Sequence, residues 1–483
     1  MIARSLFQRG GRAATLLASV ALAGCAMAPG YERPVAPISA AFPVGDAYVQ
    51  APVPAGGPAA DIGWRDFFND PLLQTLIERS LTNNRDLRVA ALNVEAARAQ
   101  YRIQRSELLP NLGVGGEAAA QRLPDPLFYN RRSYQVGASV SAWELDLWGR
   151  IRSLSDEALQ KYFAIEETRT AAQLSLVAEV ANAYLTLRAD QELLRLSRET
   201  LATQRKSHEL TKRLVDAGEI AQLDLRRAEI AVRTAEADMA TYSRLAAQDR
   251  NALLLLLGEP LTPDLARQLD AADTLADNIV PDRLPAGMPS DLLTRRPDIR
   301  AAEHGLRGAN ANIGAARAAF FPTISLTGSA GTASADLDGL FSSGSGAWSF
   351  MPRITMPIFQ LGAIKANLDR AEVQKRIEIA TYEKAIQSAF REVSDGLAGQ
   401  GTLDQQIRAE RLRAEASRDS YALSEQRYRA GEDSNLALLD AQRSLYGAEQ
   451  SLVRARLLRL TNLINLYKAL GGGWTERSLP NDG

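Results

Sequence analysis

The chain has 483 residues and nearly balanced charges, 56 Lys and Arg against 57 Asp and Glu, for a net charge of −1. This balance argues against a protein that binds nucleic acid through its net charge, and two histidines and one cysteine argue against a metal site or a disulfide framework. No apolar run reaches the roughly 18 residues of a transmembrane helix, which argues against a helical membrane bundle.

Residues 1–24 have the layout of a secretory signal peptide. Three arginines precede an Ala- and Leu-rich stretch over 13–23, which is too short for a stable membrane span. The stretch ends in Leu-Ala-Gly-Cys and resembles the bacterial lipobox, in which cleavage falls between Gly24 and Cys25. We therefore predict a covalent lipid on Cys25, with an ordinary signal peptide and a chance cysteine as the alternative.

Residues 25–63 are predicted to form an acylated tether. The stretch over 29–58 is rich in Pro, Ala and Gly, a composition typical of extended linkers. The residue after Cys25 is Ala26 and not the aspartate linked with retention in the inner membrane. The expected destination is therefore the outer membrane.

The rest of the chain contains an internal repeat with an offset of about 213 residues, as between Gly218 and Gly431 and between Gly258 and Gly471. This period is far longer than that of solenoid repeats, so it predicts a duplicated domain. The predicted segments are repeat 1 over 64–258, a connector over 259–289, repeat 2 over 290–474 and a C-terminal tail over 475–483.

Each copy is predicted to contain a helix, a strand pair, a long helix and a return helix. Prolines 110 and 322 end the first helices, and Gly218 and Gly431 stop the long ones. The predicted ranges in copy 1 are 71–106, 111–145, 149–217 and 222–257. Those in copy 2 are 290–319, 322–359, 362–430 and 436–470, where glycines at 396, 399 and 401 interrupt the long helix.

The predicted strands alternate apolar and polar residues, most clearly over 134–142 and 348–358. This pattern is typical of transmembrane β-strands that face lipid on one side and water on the other. A half-buried sheet in a soluble protein alternates in the same way. Tryptophans 143, 148 and 348 near the strand ends favour the membrane interpretation, since Trp is enriched at membrane interfaces.

The long helices are the second unusual feature. In the first one, apolar residues follow a heptad seam, which is typical of helices packed side by side. About 68 residues of helix span about 100 Å, too long for a bilayer or a compact core. A cytosolic scaffold is the alternative interpretation of the heptad helix, but such a protein would not contain a lipobox or alternating strands. The seam comprises Val177, Val180, Tyr184, Leu187, Leu194 and Leu201.

Four lipid-facing strands cannot close a barrel, and open edges in hydrocarbon leave backbone groups unpaired. Several copies must therefore share one barrel, and three copies supply about 12 strands. The predicted fold is mainly α with a small transmembrane β part. It is an internally duplicated α-helical barrel with four strands per protomer, which complete a 12-stranded β-barrel in a homotrimer.

Several motifs of the chain resemble those of TolC-like outer-membrane efflux proteins. The lipobox resembles that of the lipoprotein (NodT-type) branch. The matching motifs are LLTRRPDIRAAE at 292–303, ANANIG at 309–314, FFPTISL at 320–326, YRAG at 428–431, LLDAQ at 438–442 and YKALGGGW at 467–474.

This resemblance implies a homotrimeric exit duct of a tripartite efflux pump in the outer membrane of a Gram-negative bacterium, extending into the periplasm. Its implied partners are outer-membrane lipid, a periplasmic adaptor (membrane fusion protein) and an inner-membrane transporter. It implies no enzymatic step, no metal and no cofactor besides the lipid on Cys25.

The resemblance also implies a gate at the periplasmic helix tips, beside the turns at Gly218 and Gly431. Asp440 matches an acidic position of that gate and Tyr428 a tyrosine of its closed state. Asp433 stands where some relatives have arginine, and Ala437 occupies the second acidic position.

The repeat places Arg227 at the position equivalent to Asp440, and Asp224 at that of Ala437. A charge-assisted hydrogen bond between Asp440 and Arg227 is therefore a candidate for holding the gate shut. A solvated helix charge is the alternative interpretation of Arg227.

Other functions stay open. A type I-like protein secretion channel has the same fold, and a non-conducting lipoprotein scaffold is a third class. No nucleophile elbow, P-loop or metal triad indicates an enzyme, and His208 and His304 lie in predicted helices. Antibiotics, solvents, dyes and metal ions all remain candidate substrates.

Overall fold

Two helices of 67 residues each, Arg150–Asp216 and Ala363–Arg429, are the longest elements of the chain in a computed structural model. The structure describes residues 27–48, 59–123, 129–271, 274–285, 287–360 and 362–478. The helices of nine residues or more are α1 (Pro71–Asn83), α2 (Arg85–Ser106), α3 (Arg150–Asp216), α4 (Gln222–Leu257), α5 (Pro263–Ala271), α6 (Pro297–Ala318), α7 (Ala363–Arg429) and α8 (Asn435–Ala469).

Four strands, β1 (Leu112–Leu123), β2 (Tyr129–Glu144), β3 (Thr323–Ser334) and β4 (Gly346–Thr355), complete the main elements. Short helical turns lie at Ala59–Asp61, Trp64–Phe67, Pro289–Asp291, Leu292–Arg295 and Leu337–Gly339. No helix in the described ranges combines the length and apolar character that membrane crossing requires.

The chain divides into two compact units. One comprises Met1–Val35, Asn93–Glu166 and Ala301–Glu383 and contains all four strands. The other comprises Ala36–Leu92, Glu167–Arg300 and Lys384–Gly483.

The backbone repeats the same turn conformations in both copies. Three pairs of glycines separated by the repeat offset all have positive φ, so the chain leaves and enters its helices in the same way twice. The pairs are Gly149 and Gly362 (φ 73° and 82°), Gly218 and Gly431 (78° and 74°), and Gly258 and Gly471 (69° and 87°).

The prediction of a single helix over 71–106 is wrong, because the backbone departs from helical geometry at Asn84. This residue is buried, and its backbone is extended with ψ 133°. Its side-chain oxygen accepts a hydrogen bond from the Leu87 amide at 2.9 Å, so Asn84 caps a new helix, α2. An asparagine that satisfies helix-start amides stabilises such a break.

The helix predicted over 290–319 is likewise broken, at Arg296. The ring of Pro297 disfavours a helical conformation for the residue before it, and Arg296 has ψ 121°. The buried Arg296 guanidinium donates to Asp298 at 2.6 and 3.0 Å, to Glu392 at 2.8 Å and to the Ala469 carbonyl at 3.0 Å. The break thus joins the start of α6 to α7 and α8.

The glycines expected to interrupt the second long helix do not do so, because α7 continues through them. A Cβ at Gly396 would lie 2.9 Å from Leu466 on α8, and the Asn462 amide donates to the Gly396 carbonyl at 2.9 Å. Gly396 therefore lets α8 pack closely against α7. In α3, the heptad residues Val177, Val180, Tyr184, Leu187 and Leu201 are buried.

The strands form one antiparallel sheet in the order β1-β2-β3-β4, so β1 and β4 are its outer strands. The register separates an apolar face from a polar one. A bulge at Ala142, where φ is 48°, shifts the β2–β3 register. The apolar face includes Val114, Tyr134, Val136, Val140, Trp143, Ile324, Leu326, Trp348, Phe350 and Ile354, and the opposite face includes Glu117, Gln135, Ser139, Ser325, Thr327, Ser329, Ser349 and Arg353.

Part of the predicted tether is bound to a helix. Glu303 on α6, which is 6% exposed, accepts hydrogen bonds from Tyr31 at 3.1 Å, from Arg33 at 2.8 to 3.2 Å and from Arg307 at 2.7 Å. Burial alone raises the pKa of the Glu303 carboxyl, but the two guanidiniums outweigh it and lower that pKa below its ordinary value. We call Tyr31, Arg33, Glu303 and Arg307 the tether clamp.

Both long helices end in the same hydrogen-bonded motif. The Gly218 amide donates to the Val215 carbonyl and the Glu219 amide to the Leu214 carbonyl, both at 2.9 Å. In the second copy, Gly431 and Glu432 bond in the same pattern to Tyr428 and Arg427, at 3.1 and 2.9 Å. This is the Schellman motif, which places a left-handed residue directly after the helix.

We expect Gly431→Ala to lower the free energy of unfolding by about 1–2 kcal/mol, because a side chain in the left-handed region is strained. No heavy atom lies within 4 Å of the position that a Cβ would occupy there, so the effect comes from φ alone. Gly447→Ala is the matched control. It lies inside α8 with equally open space, and alanine there stabilises by about 0.5–1 kcal/mol.

Denaturant unfolding of the detergent-solubilised protein measures both changes. A Gly431→Ala protein as stable as the wild type would contradict the role of the left-handed backbone at this turn.

Candidate gate at the helix-turn-helix ends

The candidate gate residues lie around the two turns that join α3 to α4 and α7 to α8. The two return helices begin differently. Ser434 caps α8 by accepting a hydrogen bond from the Ala437 amide at 3.3 Å. Ala221, at the equivalent position, offers no side-chain cap to α4, and Asp224 stands in the first turn instead. A carboxylate there interacts favourably with the positive end of the helix dipole.

Asp433 binds within its own turn. Its carboxylate accepts two hydrogen bonds from Arg427, at 3.0 and 3.2 Å from the guanidinium nitrogens to the carboxylate oxygens. This bidentate bond raises the pKa of the Arg427 guanidinium. The pair ties the last turn of α7 to the segment that leads into α8.

Tyr428 connects the two helical hairpins. Its side chain is half-buried, and its phenol lies near Thr211 on α3 and near the carboxylate of Asp224 on α4. Burial raises the pKa of the Tyr428 phenol, and the negative charge of Asp224 raises it further. The end of α7 therefore contacts both helices of the first hairpin.

Asp440 and Arg227 each have a partner on their own helix. The Asp440 carboxylate accepts from Arg443 at 2.9 Å, and the Arg227 guanidinium lies 3.6 Å from Asp224. Within the part of one chain that the structure describes, no bond joins Asp440 to Arg227. The predicted bond between them stays a prediction about an assembly of several chains.

Asp440 and Arg227 do line the same cleft, which has a volume of about 300 Å³. The cleft lies between α3, α4 and α8. Its walls are formed by Thr200, Gln204, Arg227, Ile230, Ala231, Thr234, Ala235, Leu436, Leu439, Asp440, Gln442, Arg443 and Tyr446. The structure therefore brings these two charges to one surface without pairing them.

Sequence reasoning missed three partners, namely Thr211, Arg427 and Arg443. Arg443 follows Asp440 by one helical turn, so the i,i+3 spacing is a signal that was available. Thr211 is distant in sequence and carries no such signal. Gly24 and Cys25, the predicted cleavage and lipidation site, lie outside the described residues. Within those residues, no three His, Cys, Asp or Glu side chains are grouped to hold a metal ion.

The chain matches known proteins along nearly its whole length. The model of the family of outer membrane efflux proteins matches residues 76–259 and 288–472. Two relatives from Pseudomonas putida, the antibiotic efflux pump outer membrane protein ArpC and the toluene efflux pump outer membrane protein TtgC, are each 51% identical over 463 residues. Each alignment covers 95% of this chain and 94% of the relative.

Among solved structures, the outer membrane channel MtrE of Neisseria gonorrhoeae in its open state superposes with a TM-score of 0.86. It is 43% identical, and the superposition covers 94% of this chain and 100% of MtrE. The family model matches both copies of the repeat, and the relatives span both. The chain therefore belongs to the family of outer membrane efflux proteins.

Proposed function

We propose that the chain is the outer-membrane channel of a tripartite efflux pump and conducts small molecules passively. The match of the family to both copies, with relatives that are efflux pump components at 51% identity, carries this proposal. In this role the protein performs no catalytic step and needs no metal or cofactor.

The channel is a homotrimer in this proposal. The outer strands β1 and β4 each leave one row of backbone groups without a neighbouring strand in the described sheet. In hydrocarbon, each unpaired group costs several kcal/mol, so these edges must pair with other copies. Three copies supply about 12 strands, within the range of bacterial barrels. The apolar face then meets lipid and the polar face lines the pore.

A passive channel depends on partners that supply energy and direction. The proposed partners are a periplasmic adaptor (membrane fusion protein) and an inner-membrane transporter, since the relatives are named as components of efflux pumps. The relatives' names point to antibiotics and toluene as substrates. We propose small, largely apolar molecules for this chain, in preference to polypeptides, and conduction in preference to a scaffold role.

The gate is proposed to lie at the helix-turn-helix ends. Arg427 and Asp433 stiffen one turn, and the Tyr428 phenol lies beside Thr211 and Asp224 of the other hairpin. Asp440 and its partner Arg443 are both exposed, so solvent weakens their ion pair and a positive group of a neighbouring copy can compete for the carboxylate. In the closed state we propose Arg227 as that group.

Cys25 is proposed to carry the lipid anchor after cleavage following Gly24. The Leu-Ala-Gly-Cys motif at 22–25 supports this proposal, and Tyr31, six residues after Cys25, is bound to α6. Six extended residues span about 20 Å, so the clamp holds the acylated end close to the first unit.

The first test is efflux. In a host that lacks its own outer-membrane efflux protein, expression of this chain with its adaptor and transporter should lower the cellular accumulation of a labelled antibiotic and of toluene. Unchanged accumulation, with the trimer present in the outer membrane, would contradict conduction and favour the scaffold. Export of a reporter polypeptide together with unchanged antibiotic levels would favour the secretion channel.

The second test is the gate. Asp440→Ala should raise the single-channel conductance of the purified protein in planar bilayers, since it removes an acidic contact of the closed state. Asp264→Ala is the matched control, because Asp264 makes the same kind of exposed i,i+3 pair, with Arg267 at 3.1 Å, away from the turns. Wild-type conductance of Asp440→Ala, or an equal rise in the control, argues against the gate.

The third test is the anchor. Intact-mass spectrometry of the mature protein should show a chain that begins at Cys25 and carries the mass of a diacylglyceryl group and an amide-linked acyl chain. Cys25→Ser should lack this added mass. A wild-type chain that begins elsewhere, with an unmodified amino terminus, would refute lipidation.

A further inference from the structure

The β1–β2 hairpin extends beyond the other two strands. The last registered pair between β2 and β3 is Tyr134 with Ser334, whereas β1 and β2 continue to pair up to Leu123 and Tyr129. Beyond the row of Tyr134, in the direction of Leu123 and Tyr129, the sheet is therefore formed by β1 and β2 alone. Among the arginines of this two-stranded extension, Arg122 and Arg132 share one face of the sheet.

The register assigns both arginines to the apolar face. Arg132 is two residues from Tyr134 on β2, and Arg122 is two residues from Ala120, which pairs with Arg132. Successive residues of a strand point to opposite faces, so residues two apart share a face. The two arginines are thus diagonal neighbours above the apolar rows, with backbones about 7–8 Å apart.

The height of the apolar face places them relative to a membrane. From the row of Ile324 and Ile354 to the row of Tyr134 and Ser334, β3 advances by ten residue steps. At about 3.4 Å per residue and a tilt of about 40°, this is about 26 Å, which matches the roughly 25 Å apolar band of outer-membrane barrels. Arg132 lies two residues beyond Tyr134 on the same face, just outside that band and at the level of lipid headgroups.

Among the described residues, neither guanidinium has an acidic partner. Both side chains are exposed, and no carboxylate of the described residues lies within ion-pair distance of either. The acidic residue of β1, Glu117, is on the opposite face. Two adjacent guanidiniums beside an apolar surface fit an anionic group that is attached to an acyl chain.

We propose that Arg122 and Arg132 bind the phosphate groups of a phosphorylated glycolipid in the outer leaflet, while its acyl chains lie on the apolar face. The helices follow β2 and β4 at the other end of the sheet, so this end faces outward in the proposed channel. The inference rests on the proposed membrane channel and adds a lipid-binding site to it. The site acts in anchoring and orientation and not in conduction.

Native mass spectrometry of the purified trimer tests the proposal, with diphosphorylated lipid A as the probe. We expect Arg122→Gln/Arg132→Gln to bind it about thirtyfold more weakly than the wild type, because two cations are removed from the headgroup level. Arg353→Gln is the matched control, since Arg353 is an exposed arginine on the polar face of the same sheet. It should bind like the wild type.

Two further arms identify the source of the phosphate. Dephosphorylated lipid A should bind weakly to all variants, and inorganic phosphate at millimolar concentration should not displace the lipid from the wild type. Displacement by inorganic phosphate would indicate a simple anion site and overturn the lipid assignment. Equal binding by the wild type and the double variant would overturn the proposal.

Conductance in planar bilayers separates this proposal from the proposed function. The double variant should form channels of wild-type conductance, so a lost lipid site with normal channels leaves the function intact. The single variants Arg132→Gln and Arg132→Lys provide the comparison if the double variant does not assemble. Lysine keeps the charge, so Arg132→Lys should retain more lipid than Arg132→Gln, and equal loss in both contradicts the electrostatic basis.

Discussion

The backbone hydrogen bonds that β1 and β4 cannot make within one chain are the constraint on which the rest of the architecture depends. The sheet has an apolar face for lipid, yet its two outer strands leave donors and acceptors unpaired. A single copy therefore has no stable place in a membrane, and assembly is a requirement of the fold. The register also places the exposed Arg122 and Arg132 just beyond the apolar rows of the same face, at the level that we propose for lipid headgroups.

The duplicated helices meet a different requirement. Each long helix must stop and reverse at a defined residue, so that the return helix packs beside it. Left-handed glycines achieve this in both copies with the same hydrogen bonds. The two turns then diverge in chemistry: the second is fastened by Arg427 with Asp433 and capped by Ser434, while the first relies on Asp224. The two turns of one chain thus differ in their surface chemistry. A gate that moves one helix pair and not the other requires such a difference.

The predicted tether has the composition of a flexible linker, but part of it has a fixed position in the structure. Its Pro-, Ala- and Gly-rich sequence predicts an extended linker, and the part around Tyr31 and Arg33 is nonetheless bound by the buried carboxylate of Glu303. Arg33 of the tether and Arg307 of α6 both donate to the buried Glu303 carboxylate and lower its pKa, so the tether helps to stabilise this buried charge on α6.

Local signals in the sequence determined most of the architecture. Glycine positions, uninterrupted helical stretches and period-two alternation identified the repeat, the long helices and the strands, because each depends on residues close together in the chain. Tertiary contacts decided the rest. Asn84 and Arg296 break predicted helices through a local cap and a following proline together with distant partners, the Leu256 carbonyl and Glu392. Gly396 lies in a helix because α8 packs against it, and Tyr31 reaches Glu303 across 272 positions. At the candidate gate, Asp440 and Tyr428 could be named from the sequence, but Thr211 could not, since a contact between distant segments leaves no periodic trace in either one.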